Sequence, residues 1–532
     1  MGVERRIDFG EVARYIEKAL EDRLERGGFV DSQYVQSVKL KAAKIFNLNR
    51  TPSNADILPF IRSPRVRQVM IKKPVRSISG IVILAVMTAP FECPHGRCIY
   101  CPHYPEAPIS YTGKEPSAMR GISFKFDPYK QVESRIRQLE SMGHVTDKVD
   151  IVIQGGTFNK TPEWYRESFM RRLFEFFIGF YPDDFNVALR AAERSRYRIV
   201  GLAFETKPDS SKEADIDWML EHGATRVELG VQSIYDDVHK FVNRGHDQWD
   251  VVEATQLLKD AGLKVTYHLM PGLPKTGFKE DIQIFMKVFS SESYLPDHLK
   301  IYPTLVLEHT GLIRLWERGE YKPLSTEDAM RLVSISKANF IPPWTRIMRV
   351  NRDIPHYEVV DGVKYPNLRQ LVHEELGRVN MRCRCIRCRE VGHKTYKMGV
   401  SVKEAVLMVR KYSASDGLEH FISLEDPETD TIIGFIRLRR PSNRAWREEI
   451  VSSESYLVRE LHVYGRSVPI GESPNSGTWQ HRGVGSLLLK TAEEYASTLG
   501  GEKILVISGV GVREYYFKHG YARDGPYVSK ML

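Results

Sequence analysis

No stretch of the 532-residue chain approaches 18 consecutive apolar residues. The longest apolar run, near residues 81–86, is strand-sized. A membrane-spanning helix is therefore excluded. The first residues, Met1-Gly2-Val3-Glu4-Arg5-Arg6, have no apolar segment behind them, so no signal peptide is expected. The protein is read as cytoplasmic, with no membrane partner. Internal repeats and low-complexity tracts are absent. Cysteine is scarce, with six residues in all. They fall into two tight triplets: Cys93, Cys98 and Cys101, then Cys383, Cys385 and Cys388. A disulfide framework belongs mainly to short secreted chains, so two clustered triplets in a cytoplasmic chain point to metal.

What is present is unevenly placed. The net charge is +9. Residues 33–76 hold ten bases (Lys39, Lys41, Lys44, Arg50, Arg62, Arg65, Arg67, Lys72, Lys73, Arg76) against the single acid Asp56. This segment reads either as a solvated basic surface or as a polyanion-binding arm. Before it, residues 12–24 have helical apolar spacing. From Ile78 onward, short β-branched runs recur at residues 81–84, 149–153, 199–205, 226–231, 264–269 and 299–302. Amphipathic segments lie between them. One starts at Asp127-Pro128, a good cap and first-turn proline, and stops at Gly143. Alternation of this kind implies βαβ units and a partial or full (β/α) barrel, with its site at the C-terminal strand ends. From about Val402 closely spaced antiparallel runs appear (405–412, 420–424, 432–438 and 457–464). A long helix (483–499), a strand (503–507) and a short helix follow. The fold class is therefore α/β, a barrel plus a C-terminal α+β domain, with a basic N-terminal helical arm. The boundaries are 1–77, 78–375, 376–400 for the cysteine-rich linker, and 401–532.

The first triplet, in the order CxxxxCxxC, follows the first strand of the array. Three thiolates on a loop above a barrel strand can hold three irons of a 4Fe-4S cluster and leave the fourth iron for S-adenosylmethionine. A zinc knuckle completed by His95 or His103 is the competing reading. Gly155, Gly156 and Thr157 end the second strand, where glycines let backbone approach a cofactor. Glu205 and Gln232 stand at the ends of two more strands as candidate contacts to S-adenosylmethionine. In the C-terminal part, Gln480, Gly483 and Gly485 form Q-x-x-G-x-G at a helix start, a pyrophosphate-binding pattern. This is the coenzyme A loop of GNAT acetyltransferases. The strand carrying Glu460, Leu461, His462 and Val463 would run beside pantetheine, and Tyr515 and Tyr516 lie on the last short helix.

A radical S-adenosylmethionine domain followed by a GNAT domain is a rare pairing. Residues 110–113, 228–233, 243–246, 300–305, 342–346, 352–355, 459–465 and 508–511 closely resemble the catalytic subunit of Elongator. The compact first triplet and the second cysteine cluster resemble archaeal or bacterial single-subunit members. The resemblance implies a tRNA-modifying enzyme. A radical from S-adenosylmethionine would take hydrogen from the methyl group of acetyl-CoA. The acetyl radical would add to carbon 5 of the wobble uridine in the anticodon stem-loop, and thioester hydrolysis would leave a carboxymethyl group. It also implies an external electron donor and action without further Elongator-type subunits. It assigns Cys93, Cys98 and Cys101 to the cluster. Lys148, residues 460–463, Val484 to Ser486 and Tyr516 go to acetyl-CoA, with Lys148 and Tyr516 as catalytic groups. Family sequences read Glu-Thr-Arg-Pro where this chain has Lys207, and an ammonium does not reproduce a guanidinium fork. A protein or histone lysine acetyltransferase with a structural iron-sulfur domain is the alternative.

The second triplet, CxCxxC, suits structural zinc with His393 as the expected fourth ligand and His373 as another choice. A redox pair is the competing reading. The flanking Arg382, Arg384, Arg387 and Arg389 are expected to lower the thiol pKa values.

Overall fold

The computed structural model describes residues 8–465, 479–480 and 482–532. His481 of the glycine-rich loop and residues 1–7 lie outside the described residues. No helix among the described residues is long and apolar enough to cross a membrane.

The N-terminal segment is a folded helical unit, not an extended arm. Helix α1 (Phe9–Glu25), capped by the Asp8 side chain, packs on α2 (Ser32–Ile45) and α3 (Pro64–Met70). Val12, Ile16, Leu20, Val38, Ile57 and Val66 form its own apolar core. Two of the ten bases are already committed. Lys39 is buried and donates to Asn54 Oδ1 at 2.9 Å, and Arg50 pairs with Asp56 at 2.7 Å. Tyr34 lies under Arg23 and Phe46 packs on Tyr15, whereas Phe60 stays exposed.

The barrel is partial. Seven parallel strands pair in chain order: β1 (Val82–Met87), β2 (Lys148–Gln154), β3 (Arg198–Thr206), β4 (Arg226–Gln232), β5 (Lys264–Leu269), β6 (His298–Ile301) and β7 (Arg346–Val350). β1 and β7 do not pair with each other, so a seam remains. Helices α4 (Pro128–Ser141), α5 (Glu163–Ile178), α6 (Gln248–Asp260) and α7 (Phe278–Ser290) cover the outside. Period-two alternation sorts the side chains. Ile151, Ile153, Val227, Leu229, Val265, Leu269 and Leu299 point to the helices and join the main core. The opposite positions are Asp150, Glu205, Arg226, Glu228, Lys264, His268, His298 and Lys300, all of which line cavities or ion pairs within the barrel. Barrels of this class usually fill their interior with bulky branched residues; this one fills much of it with charge.

The C-terminal sheet has the order β8 (Val406–Ala414), β9 (Gly417–Asp426), β10 (Thr431–Arg440), β11 (Ser455–Val463), β12 (Lys503–Val506), then β14 (Tyr527–Met531) and β13 (Ala522–Asp524) at the edge. One face carries helix α8 (Val484–Thr498). Elements of this domain also enter the barrel's core, through Leu457, Leu505, Ile507, Val510 and Tyr527. Between the two parts lies a buried ionic layer: Arg439 to Asp260 at 2.6 Å, Arg459 to Asp297 at 2.6 Å and Arg439 to Glu419 at 3.1 Å. Exposed pairs are worth ~0.2–1 kcal/mol, but removing one partner of a buried pair costs roughly 3–5 kcal/mol. This layer therefore holds the two parts in one fixed arrangement. Gly509 and Gly511 are required there. A Cβ at Gly509 would come within 2.4 Å of the Val200 backbone, and one at Gly511 within 2.5 Å of Ile199 N.

Candidate active sites at the two ends of the barrel

At the C-terminal strand ends a cavity of about 120 Å³ is lined by Cys93, Cys98 and Cys101 together with Gln154, Gly156, Thr157, Glu205 and Gln232. Cys98 and Cys101 are buried and Cys93 is half-buried. His95 Nε2 lies 3.3 Å from Cys98 Sγ, and the Ser110 hydroxyl lies 3.2 Å from Cys101 Sγ. A hydrogen bond from Cys101 lowers the Cys98 thiol to about 3 against the effect of burial, and His95 and Arg244 act in the same direction. Gly156 (φ +90°) needs its glycine, because the backbone turns there in the left-handed region and a Cβ would point toward Cys93 Sγ at 3.8 Å. Arg244 is buried and donates to Cys98 Sγ at 3.7 Å. No carboxylate pairs with it among the described residues. A buried cation without a counter-charge is costly, so the site suits a negatively charged occupant. Three thiolates bound to a 4Fe-4S core meet that requirement.

Deeper in the barrel, Glu205, Glu228 and His268 bring one ligand atom each within 4.8 Å of one another. A cation already sits among them: Lys300 contacts Glu228 closely and reaches Glu205 at 3.6 Å. Burial alone would raise the Glu228 carboxyl, but Lys300, His268 and Arg226 hold it well below the usual range. Tyr111 donates to Glu205 at 2.9 Å. This is an ion-paired floor, not a metal site.

At the N-terminal strand ends lies a second cavity, of about 590 Å³. The barrel contributes Lys148, Asp150, Arg226, Lys264, His298 and Arg346. The C-terminal domain contributes residues 460–464, Gly483, Val484, Gly485, Ser486, Tyr515 and Tyr516. β11 and β12 pair only from Ser455 to Val458 on one side and Lys503 to Val506 on the other. A bulge at Arg437/Leu438 shifts the register of β11 on its other edge. Beyond Val458 the strands part, and residues 460–463 present an edge to the cavity. Helix α8 begins at Gly483 (φ +80°) with no side-chain cap among the described residues, which suits an anion. Lys148 Nζ donates to Gln480 Oε1 at 3.0 Å, and Gln480 Nε2 donates to the Val463 carbonyl at 3.2 Å. Gly80 makes room for this bridge, since a Cβ there would lie 1.8 Å from Gln480 Nε2. Burial lowers the Lys148 ammonium to about 8.

Residues 90–286 match the model of the radical SAM superfamily, and residues 296–378 match that of the radical SAM C-terminal domain. The chain is 43% identical to a tRNA uridine(34) acetyltransferase of Methanocaldococcus jannaschii, over 98% of each chain. It is 42% identical to Elongator complex protein 3 of Saccharomyces cerevisiae, over 98% of this chain and 97% of that one.

The chain belongs to the Elongator complex protein 3 family.

A solved structure from the same family, an archaeal Methanocaldococcus infernus Elp3 with an N-terminus deletion (1-46), superposes with a TM-score of 0.77 at 42% identity. It covers 86% of this chain and 100% of its own.

Within this Elongator-family fold, the residues expected from sequence divide cleanly. Cys93, Cys98, Cys101, Gly156, Thr157, Glu205 and Gln232 meet at one end; Lys148, Glu460 to Val463, Gln480, Gly483 to Ser486 and Tyr516 meet at the other. Two qualify on inspection. The Glu460 carboxylate is bound to Arg437 at 2.9 Å, with His298 at 3.6 Å, so its side chain anchors the domain junction. Tyr516 is packed into the domain core, whereas the Tyr515 hydroxyl stands 2.9 Å from where a Gly485 Cβ would be. Lys207 is buried and paired with Asp209 at 3.0 Å. Sequence reasoning missed Arg244, Glu228, His268 and Lys300 at one end and Asp150, Arg226, Lys264 and His298 at the other. For all but Arg244 the signal was the alternation of charge with apolar residues along β2, β4, β5 and β6; Arg244 lies in a turn that no strand or helix pattern marks.

The second triplet sits at the barrel seam. Its three sulfurs lie within 4.8 Å of one another, which suits a tetrahedral ion with bonds of about 2.3 Å. The neighbouring imidazole is His373, whose Nε2 is 3.8 Å from Cys388 Sγ. The expected ligand His393 is turned to Glu390 at 3.0 Å instead, because a buried carboxylate competes for it. The flanking arginines also face elsewhere. Arg382, Arg384 and Arg389 converge on Asp430 at 4.0, 3.1 and 2.9 Å, and Arg387 lines the larger cavity. Glu390 closes the seam by binding Ser79 and Arg346.

Proposed function

We propose that this chain uses S-adenosylmethionine and acetyl-CoA to install a carboxymethyl group on carbon 5 of the wobble uridine of tRNA. The names of the relatives specify uridine 34 of tRNA and an acetyl transfer. The observation that carries the reading is one barrel with two sites: a thiol-lined cavity at its C-terminal end and a coenzyme-sized cavity at its N-terminal end. The alternative, a lysine acetyltransferase with an inert barrel, leaves the buried Arg244 and the charged barrel interior without a purpose.

When bound, the 4Fe-4S cluster and S-adenosylmethionine supply a 5′-deoxyadenosyl radical. Cys93, Cys98 and Cys101 would hold the irons. Gly156 keeps the wall low enough for a cofactor to lie against backbone, Gly155 packs the turn against Thr88, and Thr157, Glu205 and Gln232 offer the cofactor polar contacts. Lys207 serves Asp209 and so orients that loop instead of forking onto the cofactor. At the other end, the start of α8 would receive the pyrophosphate, with residues 460–463 along pantetheine. Lys148, held by Gln480, would meet the acyl end, and the half-buried Tyr515 with the buried Tyr516 behind it would exclude water and carry a proton at a hydroxyl oxygen. The exposed bases of the N-terminal helical unit would bind phosphates of the anticodon stem-loop, whose unpaired bases can be splayed into a pocket. Cys383, Cys385, Cys388 and His373 would hold zinc. The enzyme is read as cytoplasmic, acting without further subunits and drawing on an external one-electron donor.

The test is anaerobic incubation of reconstituted protein with dithionite, S-adenosylmethionine, acetyl-CoA and tRNA. The expected result is 5′-deoxyadenosine together with carboxymethyluridine at position 34. Peptide-lysine acetylation without either product would overturn the reading.

A further inference from the structure

We propose that Arg244 is a positioning residue that tunes the iron-sulfur cluster: it fixes the Cys98 sulfur by a charge-assisted hydrogen bond and raises the cluster's reduction potential. The inference rests on the cluster reading of the first triplet and goes beyond it.

Arg244 belongs to a turn, residues 242–246, that grips the cysteine loop from about 146 positions away in sequence. The Ile99 N–H donates to the Val242 carbonyl at 3.1 Å. Asn243 Nδ2 donates to the Arg97 carbonyl at 2.8 Å. Gly245 (φ +73°) lies so close that a Cβ on it would come within 2.5 Å of the His95 Cβ. The fourth contact is the guanidinium itself. Its Nε and Nη2 both donate to the Gly230 carbonyl, at 3.2 and 2.6 Å. That anchor leaves Nη1 aimed at Cys98 Sγ, 3.7 Å away. Gly230 has to be glycine for this seat, since a Cβ would stand 2.4 Å from Nη2. The backbone thus fixes the direction of the charge, and the side chain has no freedom to turn to solvent.

Three cations near the two triplets show how a buried charge is met when an acid is at hand. Lys300 is compensated by Glu228 and Glu205, Lys207 by Asp209, and Arg346 beside the second triplet by Glu390. Arg244 has no carboxylate among the described residues. Its charge is answered only by the thiol sulfurs it faces. Three thiolates outweigh the charge of an oxidised four-iron core, and each added electron makes the assembly more negative. A fixed positive charge in a dry pocket therefore favours the reduced form, and hydrogen bonds to cluster sulfurs act in the same sense. The step so biased is the transfer of one electron from a low-potential donor to the cluster, whose core charge goes from 2+ to 1+, with no proton moved. The buried Arg244 makes that transfer easier without touching the substrate.

The experiment is a potentiometric titration followed by electron paramagnetic resonance, with dithionite as reductant, on full-length reconstituted protein. The parent, Arg244→Met and Gly230→Ala are compared at matched iron content. Arg244→Met is expected to lower the equilibrium constant for reduction at least tenfold, about 59 mV toward negative potential for one electron. Gly230→Ala keeps the arginine but displaces it, and is expected to shift the midpoint the same way by a smaller amount. An unchanged midpoint in Arg244→Met overturns the proposal. Where Arg244→Met fails to retain iron, Gly230→Ala decides, and an unchanged midpoint there overturns it equally. A parent protein that takes up no iron overturns the cluster reading, and this proposal with it.

Discussion

The two ends of the barrel are built from the same strands but by different rules. The C-terminal end is made by barrel residues alone, with a small cavity, three thiols and a buried arginine that pairs with no carboxylate among the described residues. The N-terminal end, where such barrels usually keep only stabilising contacts, is half borrowed from another domain. Its cavity is several times larger and its wall is an opened strand edge and an uncapped helix start. Between them runs an interior of ion pairs, from Glu205 and Lys300 through Glu228 and Arg226 to Asp150. The difference teaches that the second site exists only because the C-terminal sheet is clamped across the barrel mouth. Neither half would make it alone.

The strongest way to break this comparison is at the thiol end. Cys98→Ala is expected to abolish bound iron and 5′-deoxyadenosine formation while leaving acetyl-CoA affinity within about twofold; iron analysis and calorimetry check this. A parallel loss of coenzyme binding would mean that the ends are not separate sites. The converse comes next. Gly485→Val puts side-chain atoms where the Tyr515 hydroxyl and the helix start meet. Losing one hydrogen bond to a charged group costs about 1.5–3 kcal/mol, so acetyl-CoA affinity should fall by roughly 10–100-fold. Cleavage of S-adenosylmethionine at the far end should persist.

Lys148 offers a finer probe. Burial lowers its ammonium from the usual lysine value to about 8. The charge is therefore present below pH 8 and lost as pH rises through it. Acetyl-CoA affinity should weaken above about pH 8 in the parent and lose that dependence in Lys148→Met, with roughly tenfold weaker binding at pH 7, the loss of about one charge-assisted hydrogen bond. An identical pH profile in both proteins would remove Lys148 from the coenzyme site. The smallest effect tests the seam. His373→Ala should weaken zinc retention about tenfold or more in a chelator competition, and His393→Ala much less, because His393 serves Glu390. Since Glu390 and Arg387 tie the seam to the larger cavity, zinc loss should disturb acetyl-CoA binding before it disturbs the iron site.

Much of this was legible from residue order. The six barrel strands read from β-branched runs fall within one residue of the observed β1 to β6 except at the end of β1, which runs three residues further, and the helix opened by Asp127-Pro128 ends at Ser141, just short of Gly143. β7 was missed because Arg346–Val350 is short, is broken by Arg346 and Arg349 and closely follows two prolines, so it lacks an apolar run. The last two strands were missed because Ala522–Asp524 is three residues long and Tyr527–Met531 carries no apolar run. The basic segment was legible as charge but not as a folded unit: beyond Ser32–Ile45 its core positions sit in helical pieces of three to seven residues, too brief for a clear period. His393 was preferred over His373 because it stands nearer in sequence, and proximity along the chain says nothing of which way a side chain turns.

By itself, the sequence determined the elements and the chemistry each could carry: two thiol triplets, a phosphate-binding helix start, a parallel array and an antiparallel one. These follow from local spacing and periodicity. Only the tertiary structure decided that the barrel stays open at one seam, that its interior is charged, and that the coenzyme cavity faces the underside of the same strands that hold the thiols. It also decided that Arg244 meets the cysteine loop and, among the described residues, pairs with no carboxylate. Such facts depend on contacts between residues hundreds of positions apart, such as Lys148 with Gln480 or Arg459 with Asp297. Burial and charge pairing fix them, and neither is written in any local pattern.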